Sequence, residues 1–356
     1  MAKSVVIAGA GIIGAALAYY LTRAGAEVTV LDTEEGGNAT TGSWGWLNAN
    51  WGNPEPYFHL RHASMGLWRE LDRDVPDLVV DWCGGLMYDL PPEKLLEFAE
   101  TYGRWGYGTR LVNRAEVIRL EPGLRLPPET AVHVAEEGMV ESLAAAHTLM
   151  NAARDMGARV IHNVHVKWLE QTGDRVNAVI TDAGTLAADE IVLAAGAGMP
   201  GILQTIGIGL KFSFPKGLLV HSLPAHRVLN GLVMAPGVHA RQTAEGRLTA
   251  GVDFAGGNPG DDPTGTARAL FRRLQDLVTG GDAIAMDFYT VSAKPVPGDG
   301  FPAVGRPLGR QGLYVAMSHG GVTMAPIIGK VCADELLAGK REPLLDPFPL
   351  DRLLMG

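Results

Sequence analysis

The sequence predicts an α/β fold with an α+β portion, and three stretches predict it. They are a strand–glycine turn–helix–strand unit at the start, turn-bounded strands between residues 164 and 193, and a second strand–glycine loop–helix unit over 312–337. In the first, Ser4–Ala8 is short, apolar and β-branched, as a buried strand is. A helical stretch continues to about Ala24, where Gly25 stops it, and Glu27–Leu31 forms a second strand ending at Asp32. In the middle stretch, Val164–Glu170, Arg175–Thr181 and Leu186–Leu193 read as three strands, because Thr172-Gly173-Asp174 and Asp182-Ala183-Gly184 are turn sequences. The last of them runs into Ala194-Ala195-Gly196-Ala197-Gly198, small enough for a close backbone approach. In the third, Gly312–Met317 is a strand and Ser318-His319-Gly320-Gly321 a loop. Val322 then opens a helix to about Leu337, with Pro326 accommodated in its first turn.

A chain of 356 residues is long enough for two domains and a large core. The formal net charge is −9 and no basic cluster tracks along the sequence, which argues against nucleic-acid binding. Cys83 and Cys332 are far apart and form no CxxC pair, so reduced thiols in a cytoplasmic protein are expected. Val5–Leu21 is almost wholly apolar after Lys3 and resembles a signal or membrane segment, but it falls short of the roughly 18 residues a span needs. Its glycines have another explanation.

That explanation is Gly9-Ala10-Gly11-Ile12-Ile13-Gly14, set between strand and helix. Gly9 permits the tight turn, Gly11 lets a pyrophosphate approach the backbone, and Gly14 lets the helix pack on the strand. The helix N-terminus offers free N–H groups to phosphates. Asp32, 18 residues beyond Gly14, is placed to bind ribose hydroxyls and would repel a 2′-phosphate. The unit is a dinucleotide fingerprint that does not by itself separate FAD from NAD. The next segment favours FAD: Glu34 to Gly45 is a Gly/Thr/Ser loop rather than another strand–helix unit, rich in donors suited to a pyrophosphate and a ring edge. The glycine-rich start of the C-terminal helix can direct its dipole at a flavin pyrimidine ring, where charge accumulates on reduction.

Taken together, Gly9–Gly14 with Asp32, Ala39–Gly45, Ile191–Gly198, Pro295–Gly305 and His319–Pro326 resemble the D-amino-acid oxidase superfamily, within it the glycine oxidase and sarcosine oxidase branch. The resemblance implies a Rossmann-type FAD-binding domain from residues 1–50, 136–215 and 300–356. Interleaved with it would be a smaller substrate domain, 51–135 and 216–299, on a mixed or antiparallel sheet. It further implies FAD contacts from Gly9, Gly11, Ile13, Gly14, Asp32, Thr41, Gly42, Ser43, Trp44, Val166, Ala195, Gly196, His319, Gly320, Gly321, Val322 and Thr323. Sarcosine oxidases tether flavin through a cysteine near the first C-terminal motif. Ala293–Asp299 contains none, so FAD is expected to be non-covalent.

Family members oxidise a Cα–H bond next to an amine, passing hydride to flavin N5, with imine hydrolysis and reduction of O2 to H2O2. The resemblance implies a glycine-type or N-substituted (N-carboxymethyl) amino acid as substrate. Lys294 stands where glycine oxidase and D-amino-acid oxidase carry an arginine for the substrate carboxylate, giving charge without a bidentate fork. Arg241 and His239, on a strand-like run, are further candidates for catalysis and substrate contact, and Asn48 and Asn50 for the pocket wall. The Trp, Tyr and His residues between Trp44 and Tyr107 are expected in an apolar pocket wall. No metal set is expected: His59 and His62 share a helical face without a partner pair. Glu34/Glu35 and Asp261/Asp262 read as solvated loop pairs. The alternatives are a dehydrogenase passing electrons to a quinone or protein, a nicotinamide-dependent dehydrogenase, and a flavin-binding protein without catalysis. No membrane association is expected, and a homo-oligomer is left open.

Overall fold

The computed structural model describes residues 2–33, 37–50, 52–253 and 256–355. The glutamates of the 34/35 pair lie outside them. Ser4–Ala8 is central in a six-stranded sheet of order Ala303–Gly305, Leu313–Met317, Glu190–Leu193, Ser4–Ala8, Glu27–Leu31, Arg159–Ile161. All neighbours pair in parallel except the Ala303–Gly305 edge strand. Burial on both faces explains the unbroken apolar character of Ser4–Ala8, since a parallel sheet is covered on each side.

On one face lie the Ile12–Arg23, Ser142–Asp155 and Gly321–Ala338 helices, with Glu55–Asp74 packed across them. Small residues on the first helix set the spacing: a Cβ on Gly329 would lie 2.8 Å from the backbone of Ala16, so Gly321–Ala338 approaches almost to contact. On the other face sits a three-stranded antiparallel sheet, Val166–Thr172, Arg175–Thr181 and Gly184–Ala187.

The expected single strand Leu186–Leu193 is two strands in two sheets. Gly184–Ala187 completes a hairpin with Arg175–Thr181, whereas Glu190–Leu193 enters the six-stranded sheet. The break falls at Asp189, whose carboxylate accepts from the backbone N–H and the hydroxyl of Ser4, each at 2.8 Å. A polar residue at that point turns the chain from one layer into the next.

Pro326 is the second departure. The helix begins at Gly321, so Pro326 lies beyond its first turn, inside the helix. It has no N–H for the carbonyl of Val322. Trp68 Nε1 supplies that donor instead, at 3.0 Å. One residue on, Ser64 Oγ donates to Thr323 O at 2.6 Å and accepts from the Ile327 N–H at 3.3 Å, bridging the opened rung.

A second, eight-stranded sheet runs Met286–Ala293, Lys216–Ser222, Leu248–Gly251, Val238–Gln242, Leu232–Ala235, Gly85–Met87, Thr130–Val134, Thr109–Asn113. It is mixed, with one parallel pair between Leu232–Ala235 and Gly85–Met87. The Pro263–Leu277 helix packs on one face, capped by Asp262, which accepts from the Gly265 N–H. The other face meets Trp44, Trp46 and Phe58. Most of the aromatic run from Trp44 to Tyr107 is therefore core. Phe58, Tyr102, Trp105 and Tyr107 pack on one another in tilted and edge-to-face pairs, and of the run's described aromatic residues only Trp44 and Trp46 line the large cavity at the strand ends of the six-stranded sheet.

Candidate functional site

Register fixes the floor of the site. Ala8 pairs with Leu31 on one side and Leu193 on the other, so Gly9, Asp32 and Ala194 emerge side by side at the carboxyl ends of three parallel strands. This is the topological switch point of an open α/β sheet, where ligands bind. Gly9 has φ +112°, and a Cβ there would collide with the Ala194 carbonyl. A Cβ on Gly14 would collide with the Gly9 carbonyl, so the helix is drawn onto the turn. Asp32 Oδ2 accepts from the Ala10 N–H at 2.8 Å, which ties the acid to the glycine loop.

A cavity of about 600 Å³ extends from these strand ends. Its lining includes Gly9, Gly11, Ile13, Asp32, Gly42, Ser43, Trp44, Val166, Ala195, Gly196 and the run His319–Thr323, together with Asn48 and Lys294. Two helix N-termini open into it, with N-cap residues Gly11 and Gly320 that bring no side chain of their own, although Thr40 takes the Ile12 N–H of the first. Each leaves backbone N–H groups and a positive dipole end toward a ligand.

Five predicted residues lie elsewhere. Gly14 packs beneath the cavity. Thr41 points back into its own short helix, donating to Gly37 O at 2.9 Å, and its neighbour Thr40 lines the cavity, accepting from the Ile12 N–H at 3.0 Å. His239 and Arg241 are buried on the face of the eight-stranded sheet that packs against Trp44. His239 Nε2 meets Asp89 Oδ2 at 2.9 Å, and Arg241 is ion-paired with Glu141 and touches Met139 Sδ at 3.6 Å. Asn50 likewise turns away, donating to Glu137.

Three groups shape the electrostatics of the inner end. Burial lowers the Lys294 ammonium to about 8, against an opposing pull from Asp253, and its Nζ donates to Gly256 O at 3.3 Å. Burial, with Arg61 and Lys294 adding like charge, lowers His319 to about 4, so its ring is neutral at physiological pH. The third is Arg61, which sequence reasoning passed over because it sits mid-helix in Glu55–Asp74 with no motif around it. The residue is only 7% exposed yet lines the cavity. Behind the wall, Glu137 was also missed. Fully buried, it accepts from Trp46 Nε1 and Tyr107 Oη, each at 2.9 Å, and from Asn50, and burial pushes its carboxyl up to about 8.

His59 pairs with Glu55, and His62 with Glu136 while stacking on Phe58. Among the described residues no cluster of three or more His, Cys, Asp or Glu side chains could hold a metal ion. Nor, among them, is any helix long and apolar enough to cross a membrane. Cys83 and Cys332 are absent from the lining, and burial raises the thiols of both.

Glycines that a Cβ would fill, an acid at the end of the second strand and two glycine-capped helix N-termini on one cavity suit an ADP moiety joined to a ring system. They define a flavoprotein of the dinucleotide-binding class. A family model described as FAD dependent oxidoreductase, DAO, matches residues 4–335, and the chain belongs to that family. The uncharacterized oxidoreductase YurR of Bacillus subtilis is 31% identical, over 97% of this chain and 98% of its own. The glycine oxidase of Bacillus licheniformis is 25% identical, over 93% and 92%. Among solved structures, the glycine oxidase of Geobacillus kaustophilus superposes with a TM-score of 0.88 at 24% identity, over 98% of this chain and 99% of that one. The protein is thus an FAD-dependent oxidoreductase.

Proposed function

We propose that this protein oxidises the C–N bond of an amine-bearing carboxylate, a glycine-type or N-substituted amino acid, and passes the electrons to O2. The observation that carries this reading is half-buried Lys294, with buried Arg61 beside it, lining one cavity with the dinucleotide cradle. The domain division we propose follows the two sheets, since every strand of the eight-stranded sheet comes from 51–135 or 216–299.

When bound, FAD supplies a two-electron acceptor for the substrate Cα–H, and the difficult chemistry is the cofactor's. Gly9, Gly11, Asp32 and Thr40 would hold the ADP portion. The Ala194–Gly198 and Ser318–Thr323 segments, without bulky side chains except His319, would admit the ring, held without a covalent bond. Lys294 holds the carboxylate by charge, so the amine-bearing carbon is fixed within the cavity. Trp44 and Trp46 exclude water from one wall. Neutral His319 donates or accepts a hydrogen bond without adding charge. A proton-abstracting side chain is not required, because hydride leaves with its electron pair.

A second reading, a dehydrogenase with a quinone or protein acceptor, is favoured by relatives such as the D-amino acid dehydrogenase of Sinorhizobium medicae, 26% identical over 93% of this chain. An anaerobic screen for bleaching of the flavin band with glycine, sarcosine, D-amino acids, proline and N-carboxymethyl amines tests the substrate class. Bleaching by none of them overturns it. Peroxide formation on admitting air supports the oxidase, whereas turnover with a dye and negligible oxygen uptake supports the dehydrogenase. Lys294→Met should raise KM for carboxylated substrates roughly 10- to 100-fold, the worth of one hydrogen bond to a charged group. An unchanged KM removes Lys294 from that role.

A further inference from the structure

Arg61 is placed at an unusual cost. Nε donates to Asn48 O at 3.0 Å, and Nη2 to Asn48 Oδ1 at 2.6 Å and Thr323 Oγ1 at 3.3 Å. Nη1 meets Tyr57 Oη at 3.3 Å. Every one of these partners is neutral. Among the described residues no carboxylate lies within ion-pair distance of the guanidinium. The buried carboxyl that feels its charge, Glu137, does so least among five influences and is held protonated near neutral pH by burial.

The surroundings add positive potential. Nη1 packs so tightly against Gly320, the N-cap of the Gly321–Ala338 helix, that a Cβ there would collide with it. The positive end of the helix dipole and a permanently charged, buried guanidinium therefore sit together. Burying a cation beside a like partial charge is unfavourable by itself. The hydrogen bonds it donates to Asn48 and Thr323 fix the group's position, not its charge. The arrangement becomes favourable when negative charge develops on the cavity side.

We propose that Arg61 is a catalytic residue that stabilises the negative charge taken up by the isoalloxazine ring on reduction, so that it sets the driving force for substrate oxidation. It acts jointly with the helix N-terminus at Gly320–Thr323, and it is distinct from Lys294, which meets the substrate. This assignment depends on FAD lying in the cavity and is independent of which amine is oxidised. It therefore survives a failed substrate screen.

The experiment uses purified holoenzyme with Arg61→Met, Arg61→Gln and Arg61→Lys. Arg61→Gln keeps a donor for Asn48 while removing charge, which guards against a variant that does not hold FAD. Sulfite is the probe: its sulfur lone pair forms a bond to flavin N5, and the electron pair displaced into the ring leaves it anionic. Sulfite affinity, read at the visible flavin band, should fall about tenfold or more in the Met and Gln variants. The two-electron midpoint potential should fall by about 30 mV per tenfold. Arg61→Lys should recover part of both. Wild-type sulfite affinity and potential in a flavin-loaded Gln or Met variant would overturn the assignment, even if its thermal stability or its KM had moved.

Discussion

Lys294 and Glu137 both sit far from their solution pKa values, and burial is the leading cause for each. For Lys294 the direction is downward, so its charge is lost as pH rises through about 8. KM for a carboxylated substrate should therefore climb across that pH in the wild type and stay flat in Lys294→Met, as steady-state kinetics from neutral pH to about one unit above 8 would show. For Glu137 the direction is upward, from 4.5 to about 8. The folded state then binds a proton that the unfolded state has released, so stability declines as pH rises between those values. Glu137→Gln should flatten the Tm-against-pH curve over this window and cost little, since a side-chain amide can still accept from Trp46 Nε1. Glu137→Ala should cost about 1–3 kcal/mol at acidic pH by stranding buried donors. Equal Tm-against-pH slopes for wild type and Glu137→Gln would exclude the raised carboxyl.

The Gly321–Ala338 helix carries a defect repaired from outside. Pro326 orphans the Val322 carbonyl, and Trp68, wholly buried on the crossing helix, donates to it. Trp68→Phe should cost about 1–2 kcal/mol of unfolding free energy beyond its packing loss, through an unsatisfied buried carbonyl. The cost should shrink in a Pro326→Ala background, where residue 326 regains its N–H. A double-mutant cycle by denaturant unfolding measures that coupling, and strict additivity would refute it. The same junction bears on the site, because Thr323, in the affected turn, accepts from Arg61 and donates to Trp46 O at 2.9 Å. Moving the turn would move the cation.

At the scale of the molecule, the cavity is shared by segments from opposite ends of the chain, and FAD binds to the folded state alone. Removing FAD should lower Tm, and titrating it back should raise stability by about 2.7 kcal/mol at a hundredfold excess over Kd. Gly9→Ala should abolish that gain, because a side chain at φ +112° meets the Ala194 carbonyl. Differential scanning fluorimetry with and without FAD reads both, and an FAD-independent Tm in the wild type would contradict the site.

Much of the molecule is legible in its sequence. The glycine fingerprint, Asp32, and the strand–helix rhythm at both ends are local patterns, in which backbone sterics and burial act within a few residues. So the family, the cofactor and most of the cavity floor follow from the sequence. Asp189 is harder: with Glu190 it interrupts an apolar run, but that the run divides there between two sheets is decided by hydrogen bonds to Ser4, 185 residues away. Thr40 and Thr41 are neighbours, and only the direction of a four-residue helix decides which faces the cavity. Arg241 sits in a plausible strand, but its ion pair with Glu141 comes from a residue 100 positions away. Arg61 and Glu137 carry no motif at all. Their charges matter because distant segments bury them, and desolvation is a property of the assembled interior rather than of any stretch of chain. The sequence by itself determined the dinucleotide fold and its ligand class. The tertiary structure alone decided which cations face the cavity and which are spent on partners.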